Sequence, residues 1–435
     1  MTVAIIGAGI GGLTAALSLH AAGIPCQIFE SVREPKALGT GINLLPHAVR
    51  ELTELGLGEA LAEAAIPAAE MVHYDRFGGR IWGMPRGLAA GYLWPQYSIH
   101  RGELQMILLN AVRERLGPSA VRTGMRLERF AQSSDSVQIR FRNRSDDSAE
   151  EFKADVLVGA DGIHSTVRAQ LQPQEGAPLW NGIYMWRGVT EGGPFLTGRT
   201  MIVAGSNRRA KFVAYPISRQ AEKQGRAAIN WVAEVRFDIN TPYEKDSWNR
   251  QGRVESVLPH FADWRFDWLD IPALITGAPA IYEYPMIDRD PLPSWGDKRV
   301  TLLGDAAHPM YPVGSNGGSQ AILDARVLAW ELARKPDPIE ALAAYEETRR
   351  PATTALVLSA REMGPERVLA TVAERAPNGF RRIEDVLSTE ELAALEGNYK
   401  KLVGTDVETL NSRHSWTVPR RAKLWHRSPL EETTQ

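Results

Sequence analysis

Disulfides cannot hold this chain together, because it has one cysteine, Cys26, in 435 residues. A lone thiol also leaves no cysteine-rich metal site, and it fits a reducing compartment, so the expected location is cytoplasmic. Net charge is equally scarce: 50 Lys and Arg stand against 52 Asp and Glu, a formal charge of −2. No global field is available to recruit nucleic acid or anionic lipid. No run reaches the ~18 apolar residues that a spanning helix needs. The apolar opening, Val3 to Leu17, has no Lys or Arg before it and four glycines inside it, which does not match a secretory signal. Repeats and low-complexity tracts are missing as well. Apolar and aromatic residues are plentiful: the chain is 44% hydrophobic and has 12 Trp. At about 150 residues per domain this length suggests two or three domains, with core enough to need neither disulfide nor metal.

Hydrophobic periodicity divides the chain. The first thirty residues read strand, turn, helix, strand. Helical patterns follow at 46 to 57 and 101 to 116, and then the period changes to two. From Arg126 to Val158 the alternation of Val137, Ile139 and Phe141 with polar residues predicts an antiparallel meander. A second apolar strand, ADVLVGADG, leads to a short helix from Ile163 to about Leu171. The Pro- and Gly-rich stretch 173 to 182 then marks a boundary. Beyond it the segments IYMWRGVT, KFVAYPIS, AINWVAEVRF and IYEYPMI predict a β-rich insert, with a helical interlude near 252 to 275. RVTLL (299 to 303) is a further apolar strand, followed by helices from about Ser319 to Lys335 and from Ile339 to about Met363.

Three glycine-centred motifs carry the chemistry. Gly7-Ala-Gly9-Ile-Gly11-Gly12 lies between the first strand and helix. In a G-x-G-x-x-G the glycines let the backbone turn tightly, approach a pyrophosphate and pack helix on strand, with the helix N-terminus facing the phosphate charge. Glu30 ends the next strand, 18 residues beyond Gly12, where an acid that binds ribose is expected. The alternative is a tight turn with no ligand. The second motif runs from Asp155 through Gly159, Asp161, Gly162 and Ser165 to Arg168, another strand, turn and helix, in which Asp161 is either a helix N-cap or a ligand group. The third, Gly304-Asp305-Ala-Ala-His308-Pro, continues through Pro312, Gly314, Asn316, Gly317 and Gly318 to a helix. A carboxylate at a strand end can accept hydrogen bonds from sugar hydroxyls, and the glycines after it free backbone N–H groups at a positive helix end.

In this order the three motifs resemble those of the class A flavoprotein aromatic hydroxylases, the single-component FAD-dependent monooxygenases of the p-hydroxybenzoate hydroxylase type, over roughly residues 1 to 360. MYPVGSNGGSQAILDA (310 to 325) and YMWRGV (184 to 189) are most similar to the phenazine-tailoring members that act on 5-methylphenazine-1-carboxylate. The resemblance implies an α/β fold: a glutathione-reductase-like Rossmann FAD-binding domain (1–73, 98–178 and 298–365), an inserted antiparallel β-sheet substrate domain (74–97 and 179–297) and C-terminal helices with a tail (366–435). It implies FAD as cofactor, with NADH or NADPH, O2 and a small aromatic ring as co-substrates, in a monomer or homodimer. A nicotinamide would reduce the flavin, a C4a-hydroperoxide would form, and an oxygen atom would pass to the ring. Gly7, Gly9, Gly12 and Glu30 would hold the AMP half of FAD, Arg101 would lie near its phosphates, and Asp305, after Gly304, would lie on the ribityl chain. Asp161 and Gly162 would serve both FAD and the nicotinamide. Pro312, Gly314, Gly317 and Gly318 would surround the flavin ring. Only one dinucleotide fingerprint is present, which argues against a separate NAD(P)H domain. No metal is called for. Epoxidation, Baeyer–Villiger insertion, oxidative decarboxylation and non-catalytic flavin or ligand binding are the competing outcomes on the same scaffold.

The insert should supply substrate contacts. By strand alternation Tyr184 and Trp186 share one face, and Met185 and Arg187 the other. Either face lines a flat pocket or the strand is ordinary core, in which an unpaired Arg187 would be costly. Tyr215 is either a further candidate catalytic residue facing the pocket or ordinary core. His47 either assists a deprotonation, since histidine titrates near neutrality, or packs and caps a helix. His308 is read as part of a turn that settles the flavin loop. The basic stretch from Arg413 to Arg427 is read as a tail that packs back on the protein's acidic surface through Trp416 and Trp425. Of the remaining Trp, 180, 186, 231, 248, 264, 268 and 295 fall in or beside the insert, 82 and 94 lie earlier, and Trp330 lies elsewhere. The expectation is that some of these indoles shape a broad, flat pocket.

Overall fold

The computed structural model describes residues 1–241, 250–392 and 406–418. A five-stranded sheet, parallel throughout, is ordered Val300–Leu302, Val156–Gly159, Val3–Ile6, Cys26–Glu30, Val121–Thr123. Val3–Ile6 and Val156–Gly159 are buried at every residue. A parallel strand covered on both faces has no polar side to alternate with, so these two read as uninterrupted apolar runs. The helix Ile10–Ala21 packs between Arg101–Leu116 and Gly317–Arg334. The predicted meander is present as Met125–Gln132, Val137–Asn143 and Ala149–Ala154, and it docks on the parallel sheet through Phe141, stacked 4.2 Å from Phe29.

The insert is a seven-stranded sheet, ordered Ile281–Asp288, Leu179–Gly192, Ala227–Arg236, Ala210–Pro216, Thr200–Gly205, Glu70–Tyr74, Arg80–Pro85. All four segments named from the sequence are strands in it. Two expectations need correction. The sheet is mixed, because Thr200–Gly205 runs parallel to Glu70–Tyr74. That pairing also moves Glu70–Tyr74 out of the first domain, so a boundary at 73 cuts through a strand of the insert. The interlude resolves into the short helices Val254–Val257 and Ile271–Thr276 and a hairpin, Arg265–Phe266 with Leu269–Asp270.

Both faces of this large sheet are covered. One carries Trp186, Ile202, Ala204, Phe212, Ala214, Trp231 and Ala233 into a core with Val257, Phe261, Trp264, Ile271 and Ile275. The other carries Met185, Met201, Val203, Val213, Tyr215 and Val232 toward the parallel-sheet domain. Between the two domains lies a three-stranded sheet of Gly41–Leu44, Gln96–His100 and Ile66–Ala68. It is tied to the insert where Gly41 N–H donates to Asn230 Oδ1 at 2.6 Å. Helices Gly317–Arg334 and Pro338–Arg361 close the first domain, and Arg367–Arg375 and Val407–Ser412 follow. Among the described residues no helix is long and apolar enough to cross a membrane.

Candidate active site

One continuous cavity of about 940 Å³ runs from the glycine turn to the inner face of the large sheet. Its first wall is mostly backbone. Gly7 has φ +105, which favours glycine, and a Cβ there would lie 2.5 Å from Ala160 O. A Cβ on Gly12 would lie 2.1 Å from Gly7 O, so helix and strand can close on each other only without one. Gly9 differs, since a Cβ there would meet nothing within 4 Å and Gly9 faces the cavity. Glu30, at the end of its strand, accepts from Ala8 N–H at 2.7 Å and from Val32 N–H at 2.8 Å. Arg101 opens its helix beside Gly39, lines the same cavity and has no carboxylate partner among the described residues.

The second and third motifs meet behind this wall. Asp161 is not itself the N-cap, which is Ser165. Its carboxylate accepts from Ser165 Oγ at 2.5 Å and from Thr166 N–H at 2.7 Å, and burial raises its pKa against those bonds. Asp161 and Gly162 line the cavity, so Asp161 braces the helix start from outside the cap position and remains available to a ligand. Arg168, quoted in the motif but given no role there, is fully buried. It donates to Ala306 O at 3.0 Å and Ala307 O at 2.9 Å, and pairs with Glu175 at 2.5 Å. It thereby fixes the turn that carries Asp305. His308 fixes the same turn from the other side. Its Nε2 lies 2.6 Å from Asp324 Oδ2, which also accepts from Gly304 N–H at 3.1 Å. Burial alone would raise the Asp324 pKa, but His308 and Arg349 hold it below the ordinary value. Asp305 itself points into the cavity. The protein packed around it pushes its pKa up, opposed by His308 and Arg101. Gly304, Pro312, Gly314, Gly317 and Gly318 line the cavity around it, the last two at the N-terminus of Gly317–Arg334.

The opposite wall is side chain. Arg187, Met185, Tyr215, Lys211, Val213, Val232, Glu234 and Tyr284 face the cavity from the large sheet. Arg187 Nε is buried without a hydrogen-bond partner. Tyr215 stays a neutral phenol, its pKa pushed up to about 12 by burial against the pull of Arg187. Tyr184 and Trp186 do not line the cavity. Alternation was read correctly, but Trp186, 3% exposed, sits in the core behind the sheet and donates from Nε1 to Glu283 at 3.0 Å. The expectation that indoles shape the pocket fails with it. Among the described residues no Trp lines the cavity; Trp231 and Trp264 share the core behind the sheet, and Trp295 packs on His308 and Tyr345. Trp248 and Trp425 lie outside the described residues.

His47 does line the cavity, in the first turn of Pro46–Glu54. Burial, with Arg413 and Arg349 adding to it, lowers its pKa to about 3. Such an imidazole is a poor proton acceptor at neutral pH, so the deprotonation role is not supported. Nor does it cap the helix, whose N-cap is Leu45 with no side-chain bond. Of the basic stretch Arg413 to Arg427, the part up to residue 418 packs back on the protein, and the rest lies outside the described residues. Arg413 Nη2 reaches Glu51 Oε1 at 2.6 Å, and Trp416 contacts Trp330 at 5.8 Å between ring centres.

Three charged residues of the cavity were not singled out from the sequence. Lys211 Nζ lies 2.9 Å from Glu234 Oε2 and 2.5 Å from Glu366 Oε2, and all three are buried or nearly so. Lys211 shares the parity of Tyr215 in KFVAYP, so a charge at an inward position of an apolar strand was the signal available.

The family described as FAD binding domain matches residues 1–252 and 288–360. The chain belongs to that family. It is 49% identical over 404 residues to the phenazine 1,6-dicarboxylic acid hydroxylase PhzS of Lysobacter antibioticus, covering 92% of this chain and 97% of that one. It is 35% identical over 370 residues to the 3-amino-4-hydroxybenzoate 2-monooxygenase PtnB3 of Streptomyces platensis, covering 84% and 88%. Among solved structures, Klebsiella pneumoniae HpxO complexed with FAD and uric acid superposes with a TM-score of 0.70 at 25% identity, covering 93% of this chain and 92% of that one. The chain is thus an FAD-dependent aromatic hydroxylase.

Proposed function

We propose that this hydroxylase acts on a fused or substituted aromatic ring that carries a carboxylate, of the phenazine-carboxylate type, using NADH or NADPH and O2. The observation that carries the reading is the buried, unpartnered Arg187 Nε on the cavity wall. A guanidinium with no ion pair or hydrogen-bond acceptor in contact is costly at a half-buried wall, and a bidentate carboxylate is the ligand whose shape it fits. The 49% identity to a hydroxylase of a phenazine dicarboxylic acid supports the same class. Tyr215 and Tyr284 on either side would hold the ring's polar edge.

We read the first domain as glutathione-reductase-like in arrangement, on the strand order and the glycine turn. The residues fit FAD. Gly7, Gly9 and Gly12 leave a backbone groove at a helix N-terminus for a pyrophosphate, Glu30 would take the adenosine ribose, and Arg101 would neutralise phosphate charge. Asp305 would accept from the ribityl hydroxyls, and Asp161 and Gly162 would border both FAD and the docking nicotinamide. The free N–H groups at Gly317 and Gly318 would stabilise negative charge on the flavin's pyrimidine edge. Bound FAD supplies the oxygen-transfer chemistry. The chain's own part is to orient the ring by Arg187, to keep Tyr215 protonated as a hydrogen-bonding group, and to exclude water with Met185, Val213 and Val232. Cys26, as the only thiol, supports a cytoplasmic site of action.

The deciding experiment screens phenazine and benzoate carboxylic acids for stimulated NADH oxidation, with mass detection of a product one oxygen heavier. Stimulation by carboxylates with a hydroxylated product is the expected result. Stimulation without any oxygenated product, or by uncharged rings alone, would overturn it.

A further inference from the structure

Two carboxylates and one ammonium meet at the end of the cavity. Lys211 contacts Glu234 and Glu366, and Asn207 Nδ2 donates to Glu366 at 2.9 Å. Glu366, with one ammonium and one amide, is well served. Glu234 has less: Lys211, at 2.9 Å and shared with Glu366, is its one ion-pair partner among the described residues. The remaining cation is Arg187, diagonal to Glu234 in the sheet, since Arg187 pairs with Val232 and Met185 with Glu234. Diagonal neighbours across strands lie about 7–8 Å apart, close enough to interact through poorly screened space, and no ion pair joins the two among the described residues. Around Glu234, then, stand Lys211 from Ala210–Pro216, Arg187 from Leu179–Gly192 and Glu366 from the turn Gly364–Glu366, with Tyr215 and Tyr284 beyond Arg187. Two positive charges balance two negative ones only while Arg187 is shared with the cluster.

We propose that Glu234 is a specificity-determining residue that competes with the ring's carboxylate for Arg187 and takes up one proton from solvent when that carboxylate binds. This rests on Arg187 as the carboxylate anchor. Once the ring's anion occupies the guanidinium, the cluster holds one negative charge too many in a buried space, and protonating Glu234 removes it. Burial, with Glu366 beside it, already raises the Glu234 pKa against the pull of Lys211 and Arg187, the direction that proton uptake requires.

The sign follows. A group that binds a proton on complex formation makes the complex weaker as pH rises, by up to about tenfold in Kd per pH unit between its free and bound pKa values. The test measures Kd of phenazine-1-carboxylate and of phenazine-1-carboxamide to the FAD-loaded enzyme between pH 6 and 9, by equilibrium dialysis, for wild type, Glu234→Gln and Arg187→Met. For the carboxylate, wild type should weaken with pH, and Glu234→Gln should flatten that slope and bind at least tenfold tighter at pH 9. The carboxamide should show no slope. Calorimetry of the wild type in buffers of different ionisation enthalpy gives a second readout that needs no variant, about one proton taken up per carboxylate bound. An unchanged slope in Glu234→Gln, or no proton uptake, overturns the inference while leaving Arg187 as anchor. If Arg187→Met binds the carboxylate as wild type does, or the carboxylate does not bind wild type at all, the substrate reading itself fails and the inference with it.

Discussion

At the glycine turn the cavity wall is backbone, and on the large sheet it is side chain. The first wall depends on atoms that are missing: a Cβ at Gly12 would sit 2.1 Å from a carbonyl oxygen, and Glu30 and Asp305 are placed by the strands they end. The second wall depends on atoms supplied by strands far apart in sequence, with Arg187, Lys211, Glu234 and Tyr284 coming from four of them. A wall of backbone tolerates few residue types and serves a cofactor common to the family. A wall of side chains can be redrawn one residue at a time, which is where the relatives named for benzoate and phenazine substrates have room to differ.

The largest effect should come from adding one carbon to the first wall. Gly12→Ala pushes a methyl into Gly7 O, so the variant should lose FAD and fold poorly, with flavin absorbance per chain falling more than tenfold. Gly9→Ala sharpens the contrast, because its methyl enters open cavity rather than protein. Stripped of FAD, that variant should melt with the wild-type apoprotein, and it should still lose FAD affinity. Equal melting losses in the two variants would mean that Gly9 is structural and not part of the cofactor wall.

Arg187→Met should leave flavin content unchanged and raise KM for carboxylated rings about 100-fold, the range of about 3 kcal/mol expected when a charged hydrogen-bond partner is removed. A matching loss of FAD would show that the two walls are not separable.

Trp186 probes the large sheet from behind. Trp186→Leu opens space beside Tyr184, Phe237 and His260 and strands the Glu283 acceptor, so about 2–4 kcal/mol of stability should go, with KM within twofold of wild type. A KM change comparable to that of Arg187→Met would return Trp186 to the pocket.

The same division explains what could be read from the chain. The parallel strands, the meander, the helix over Arg101–Leu116 and all three glycine motifs were visible because each is local. A turn, a cap or a run of buried residues is written within about ten positions. The faces of the insert strands were visible too, since Tyr184 and Trp186 do share one side. Which side looks into the cavity was not, because it is decided by Val254–Val257 and Ile271–Thr276 covering the other face, a contact some 80 residues away. Aromatic content misled for the same reason: large rings are the best material for a core, and the sheet's hidden face is core. The parallel pairing of Glu70–Tyr74 with Thr200–Gly205 was invisible for want of any local turn linking them. Lys211 and Glu234 left a faint trace, as charges at inward positions of apolar strands.

His47 offers the finest test, since it sits on the cofactor side yet is a side chain. Its pKa falls from 6.5 to about 3, chiefly through burial. A lowered histidine pKa means that the unfolded chain binds the proton more readily than the folded one. Stability is therefore full above pH 6.5 and declines as pH falls below it, by about 1.4 kcal/mol per unit, or about 2 kcal/mol at pH 5. His47→Gln should remove that decline, narrowing the difference in urea stability between pH 7.5 and pH 5 by about 2 kcal/mol. The pH profile of turnover between 6 and 9 should not move, because the imidazole is neutral throughout. A profile that shifts in His47→Gln while the acid stability stays as in wild type would reverse the assignment and restore His47 as a proton carrier.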